Sequence, residues 1–277
     1  FSTSWTLRRM LLASLPMYDL PELRWATNAL WGGLARAFRE QGLAEVPDAL
    51  SRGGPSDGVW RSPNLLFSQT CGYPLTHGLG ESVKVVATPS YNARGCEGSA
   101  YCSLIVVRRD CPAADVSGLS GKRAAINGWD SHSGMNAFRA AVAPFAREGR
   151  FFGDVLVTGG HRESLQAVAR GDAEVAAVDA VTHALLTAQA PDELEGLRVL
   201  AETARAPGLP FITAGSAEPG RLAALRAGLT AALEDPELEA ARATLLLTGF
   251  EARPVEDYAL FPAWAREAAE AGYPELA

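Results

Sequence analysis

Residues 122–146 read KRAAINGWDSHSGMNAFRAAVAPFA. Lys122 to Ile126 makes a short apolar strand, Asn127 to Gly134 is small and polar, and Met135 to Ala146 carries apolar residues at helical spacing. A strand that passes through a polar turn into a helix is the building unit of α/β proteins. The unit recurs downstream. Val155 to Val157 is a strand ending in Thr158-Gly-Gly160, and His161 to Arg170 is helical. Gly171 to Ala173 then turns into the apolar strand Val175 to Val178, whose end presents Asp179. Leu197 to Leu200 and Leu209 to Thr213 supply the last strands, and residues 218–271 read as three helices.

Upstream, Leu11 to Met17 is a short buried strand, and Leu23 to Gln41 places Leu23, Ala26, Leu30, Leu34 and Phe38 along one helical face. Residues 51–58 form a loop by composition. Leu65 to Ser68, Val83 to Thr88 and Ser103 to Arg108 are strands, and Asp115 to Leu119 turns the chain into the strand quoted first. The alternation predicts an α/β fold with mainly parallel sheets flanked by helices.

A chain of 277 residues with 48% hydrophobic and 21% charged residues has the composition of a globular protein of one or two lobes. Its formal net charge of −7 argues against nucleic acid or an anionic membrane as main partner, because both reward a basic face. No apolar run has the length of a membrane span. Arg8 and Arg9 followed by Met10 to Ala13 resemble an export signal, but Ser14, Pro16 and Tyr18 interrupt the run. The expectation is a removed signal or a cytoplasmic protein. Cys71, Cys96, Cys102 and Cys111 lack zinc-ribbon spacing, so no metal or other cofactor is expected. Cys96 and Cys102 flank a turn-rich segment and either pair in an oxidising compartment or stay as buried thiols.

Ligands of open α/β sheets bind beyond the carboxyl ends of strands. The polar residues there are Tyr18 and Asp19, Ser68 to Tyr73, Asn127 to Gly134, His161 and Asp179. Ser131 and Ser133 open a helix, where an anion is favoured, although a serine there also serves as a plain cap. His161 opens another helix and can donate to an oxyanion, while Asp179 followed by Thr182 reads equally as a cap. No G-x-S-x-G elbow and no phosphate-cradling glycine loop is present.

Taken in order, Ser68-Gln-Thr-Cys-Gly-Tyr-Pro74, Asp130 to Gly134, Thr158-Gly-Gly-His161 and Val175 to Thr182 resemble the phosphate/phosphite/phosphonate solute-binding proteins of ABC transporters. The resemblance covers roughly residues 10–215 and implies the two-lobed type II periplasmic-binding fold. Residues 10–102 and 212–277 would form the first lobe and 103–211 the second. The crossings would fall near Tyr101 to Val107 and Leu209 to Thr213, with a ligand cleft between the lobes that closes about a hinge. It further implies a periplasmic protein that captures a small anionic ligand and delivers it to an ABC permease. Tyr18, Gln69, Thr70, Tyr73 and Tyr91 are its first-lobe candidates, and Ser131, Ser133, His161 and Asp179 those of the second. The family's hydroxyl-rich run appears here with His132 between the serines and Trp129 just before them. That departure points to a ligand with an aromatic or larger organic part, stacked on Trp129, Trp60, Tyr73 or Tyr91. An enzyme using Cys71 as nucleophile with His77 or His161 as base, and a cytoplasmic ligand sensor, are the rival readings.

Overall fold

The computed structural model describes residues 10–53 and 56–277, so the Arg8-Arg9 start lies outside the described residues. The strands, in chain order, are β1 (Leu12–Ala13), β2 (Leu65–Gln69), β3 (Val83–Tyr91), β4 (Ala100–Tyr101), β5 (Ser103–Arg108) and β6 (Arg123–Ile126). They continue with β7 (Asp154–Val157), β8 (Val175–Asp179), β9 (Leu197–Glu202), β10 (Ala206–Pro207), β11 (Phe211–Ala214) and β12 (Leu247–Glu251). The helices are α1 (Arg24–Glu40), α2 (Ser56–Trp60), α3 (Gly72–Pro74), α4 (Ala137–Val142), α5 (His161–Arg170) and α6 (Ala180–Gln189). α7 (Pro219–Glu234), α8 (Glu239–Thr244) and α9 (Leu260–Glu270) are the three helices expected near the C-terminus. α2 stands where the 51–58 loop was expected to continue.

The chain divides into two compact units. The first holds the described residues through Thr70, with Leu79–Ala87 and Phe211–Leu245. Within it β1 pairs with β2 in parallel, and β11 lies antiparallel between β2 and β3. Every residue of β2 is buried. Its Phe67 is the hub of an aromatic core, with ring centroids 5.3 Å from Phe38 of α1, 6.3 Å from Trp31 and 5.0 Å from Phe211. Burial of such large rings is the main stabilising term of the unit. α7 comes close enough to α1 that a Cβ on Gly228 would meet the Phe38 ring at 2.4 Å.

The second unit holds Cys71–Gly78, Thr88–Pro210 and Leu246–Ala277. Its sheet runs β7-β6-β8-β5-β9, with β6 parallel to β7 and β8, and β5 antiparallel to both its neighbours. Four of its five strands therefore point one way, yet half of the pairings are antiparallel because the reversed strand lies inside the sheet. This sheet is mixed for that reason, with most of its strands running in one direction as the α/β reading expected. β8 is buried throughout, and Ile105, Phe138, Val142, Phe151 and Phe152 pack in the same core. α5 stops at Gly171, whose φ of 80° gives the left-handed cap that a side chain would disfavour.

Three stretches expected in the first lobe, Cys71–Gly78, Thr88–Cys102 and Leu246–Ala277, pack in this second unit instead. The reason is a set of buried polar ties. The Tyr258 hydroxyl donates to Gly208 O at 3.0 Å and so accepts from Thr88 Oγ1 at 2.7 Å. Arg139 Nη1 donates to Pro274 O, and Asn136 Nδ2 to Phe261 O at 3.2 Å. β12, which the sequence reading missed, pairs with the second half of β3.

Candidate functional site

In the second unit, the loop after β6 leads into a single π turn, His132–Asn136, that continues as α4. Pro144, in the 3-10 turn Ala143–Phe145, ends this helix because it has no N–H to give. Ser131 is the N-cap, its Oγ accepting from Gly134 N–H at 3.0 Å. The Ser131 hydroxyl proton makes no hydrogen bond among the described residues. Single π turns often mark functional sites.

Ser133 is the centre of the polar cluster. Its Oγ lies 2.8 Å from His161 Nε2, and its carbonyl accepts from Ser103 Oγ at 2.8 Å. Gly134 is required here, since a Cβ would sit 1.8 Å from Asn127 Oδ1 and 3.3 Å from His161 Cε1. Burial lowers the His161 pKa to about 4, so its ring is neutral at pH 7. Among the described residues, His161 Nδ1, Asn127 Oδ1 and the Tyr101 hydroxyl are enclosed with no hydrogen-bond partner. Ser133 is near enough to Tyr101 to bear on its acidity but not in hydrogen-bonding geometry, and burial raises the phenol pKa well above its usual value. Orphaned buried polar groups are uncommon, and a cluster of them is a place for a polar ligand.

Asp179 ends β8 fully buried, and Oδ1 caps α6 by accepting from Val181 N–H at 2.8 Å and Thr182 N–H at 2.9 Å. His132 points elsewhere. Its ring is 4.0 Å from that of Phe261 and 5.3 Å from Trp264, and its Nδ1 accepts from Asn136 Nδ2 at 3.2 Å. Burial first, and then His77, push its pKa down to about 3, so it serves as a neutral packing residue. Tyr73 stacks on His77 at 3.8 Å, Tyr91 ends β3 half-buried, and Trp129 is exposed.

In the first unit, Tyr18, Gln69 and Thr70 are buried. Ser68 Oγ lies 2.9 Å from Ser14 Oγ and accepts from the Trp60 indole at 3.2 Å, which makes Trp60 a core residue. Cys71 accepts from His132 N–H at 3.4 Å, and burial raises its thiol to about 11, the reverse of an activated nucleophile. Cys96 and Cys102 are free thiols, raised by burial to about 12 and about 11. Tyr101 escaped the sequence reading as a site residue, and Asn127 entered it only as the first residue of the polar loop 127–134. Their signal was positional: Tyr101 stands just before a strongly apolar strand and Asn127 is the first polar residue after one.

Among the described residues no group of three His, Cys, Asp or Glu side chains is placed to hold a metal ion, and no helix is long and apolar enough to cross a membrane. Residues 65–258 match the family described as ABC transporter, phosphonate, periplasmic substrate-binding protein. No curated protein matches the chain. Three of the solved structures that share the fold illustrate the likeness. A binding-protein component of a phosphonate ABC transporter from Pseudomonas aeruginosa aligns with TM-score 0.74 at 13% identity, over 95% of this chain and 87% of its own. PhnD1 from Prochlorococcus marinus in complex with methylphosphonate gives 0.73 at 13%, over 94% and 99%. A Xanthomonas citri protein bound to ATP gives 0.71 at 16%, over 95% and 98%. With its family match spanning most of the chain and its fold that of periplasmic binding proteins, this chain belongs to the phosphonate substrate-binding proteins of ABC transporters and is a solute-binding protein.

Proposed function

We propose that the protein captures a small oxyanion, a phosphonate or a phosphate ester, in the second unit's cluster of Tyr101, Asn127, Ser131, Ser133 and His161, and passes it to an ABC permease from the periplasm without chemical change. The observation that carries this reading is that Tyr101 Oη and His161 Nδ1, enclosed and without partners among the described residues, can donate to an oxyanion, while Asn127 Oδ1, likewise unpartnered, can accept from a protonated ligand oxygen. None of these five side chains is charged at pH 7. The ligand's charge would be met by oriented hydroxyl and imidazole dipoles, which explains how a chain of net charge −7 can hold an anion. Asp179 stands close enough to raise the Tyr101 and Cys71 pKa values, so its carboxylate would disfavour a fully ionised ligand and accept from a protonated one. The raised pKa of Cys71 speaks against the nucleophile reading.

Tyr101→Phe separates a ligand site from a structural defect. Deleting a buried hydroxyl that has no partner should leave the free protein as stable or more so, by up to about 1–3 kcal/mol, because an unmet group costs its desolvation. The same change should weaken methylphosphonate binding, measured by calorimetry, about tenfold, the worth of one hydrogen bond to an anion. Ser133→Ala and His161→Ala should weaken it in the same direction. A Tyr101→Phe protein that melts lower and binds methylphosphonate and inorganic phosphate as the wild type does would overturn the assignment.

A further inference from the structure

The turn that leads into Ser131 carries an unburied indole. Ser131 N–H donates to Gly128 O at 3.3 Å, which closes a four-residue turn with Trp129 and Asp130 at its tip. The strand before it is also pinned, by Gly159 N–H to Asn127 O at 3.1 Å and Thr158 N–H to Ile126 O at 2.8 Å. The backbone under Trp129 is therefore fixed, while the side chain keeps 51% of its surface exposed. Other large apolar side chains are exposed, such as Trp25 and Phe145, but Trp129 stands between Asn127 and Ser131, two members of the polar cluster. An indole held on a rigid turn spends little entropy on binding and recovers its apolar contact only when a flat group covers it. Asp130 beside it is exposed and enters no ion pair among the described residues, so a second anionic group is disfavoured at that spot.

We infer that Trp129 is a specificity residue that stacks on an uncharged aromatic ring carried by the ligand, which makes the preferred ligand an aryl oxyanion such as an aryl phosphonate or aryl phosphate. The inference rests on the proposed capture of an oxyanion in the adjacent cluster. It extends that reading from the head group to the organic part.

Calorimetric titration of the full chain with methylphosphonate, phenylphosphonate and 2-(trimethylammonio)ethylphosphonate tests it. The wild type should prefer phenyl- over methylphosphonate by about tenfold, the upper range for one stacked aromatic pair. Trp129→Ala should bring that ratio close to one and Trp129→Phe should keep most of it, with quenching of indole fluorescence by phenylphosphonate reduced in both variants. Because Trp129 is exposed, neither substitution opens a core cavity. Methylphosphonate binding with no aryl preference, an aryl preference unchanged in Trp129→Ala, or a stronger preference for the trimethylammonio ligand each overturns the inference and leaves the capture reading standing. Binding of none of the three ligands overturns the capture reading itself.

Discussion

Lowering the pH from 7 to 5 probes the enclosure of His132 and His161. Burial holds them at about 3 and about 4 in the folded protein. In the unfolded chain each returns to about 6.5. Between those values the unfolded chain binds protons that the native state refuses. Stability is therefore complete above about pH 6.5 and is lost as pH falls toward the folded values. At pH 5 the linkage amounts to about 2 kcal/mol for each ring and about 4 kcal/mol for the pair. Carboxylates held low by a partner, such as Glu193 hydrogen-bonded to Arg162, lose their share only in more acid solution. Urea unfolding at pH 5, 6 and 7, followed by tryptophan fluorescence, reads the effect. The wild type should lose about 4 kcal/mol from this pair between pH 7 and 5, besides the share of His183, which burial also lowers, and His132→Asn and His161→Asn should each lose about 2 kcal/mol less than the wild type over the same interval. The comparison uses the pH-dependent loss within each protein, so a general weakening by either substitution does not disturb it. Equal losses in all three proteins would refute the claim that these rings are buried and neutral.

Gly134→Ala should destabilise by about 2 kcal/mol in the same urea assay, because its Cβ would press on Asn127 and His161 and the pinned loop must yield. Gly32→Ala, exposed in the middle of α1 with nothing within 4 Å of the new Cβ, should instead stabilise by about 0.5–1 kcal/mol. Cys71, followed by peptide mapping, should react with a thiol reagent at pH 7 far more slowly than a free thiol and at the ordinary rate in urea, since burial lifts its pKa to about 11. Rapid labelling of the native protein would revive the nucleophile reading.

Much of the fold was legible because its strands and helices declare themselves locally. β5, β8 and α5 have the apolar runs and glycine boundaries from which residues 103–108, 175–178 and 161–170 were read. β12 was not legible. Leu247-Thr-Gly-Phe-Glu251 has a glycine at its centre and too little alternation to signal a strand, and it exists because the edge of β3 offers it partners. The same holds for the direction of β5, which is set by pairings with β8 and β9 that are remote in sequence.

The candidate site divides along the same physical line. Ser131 and Asp179 were readable as residues at helix starts, because a cap is a contact over two or three positions. His132 was misleading, because its place between two hydroxyl residues says nothing of Phe261 and Trp264, whose rings lie more than a hundred residues away in the chain and take its side chain into the core. Tyr101 was missed, and Asn127 noticed only as the start of a polar loop, for the converse reason. What marks them is a partner that the described residues do not supply, and an absence of that kind is defined only once every neighbour is in place. A ligand site of neutral dipoles is thus harder to read from sequence than one built on arginines, since its selectivity lies in which buried donors and acceptors are left unmet rather than in the residue types that line it.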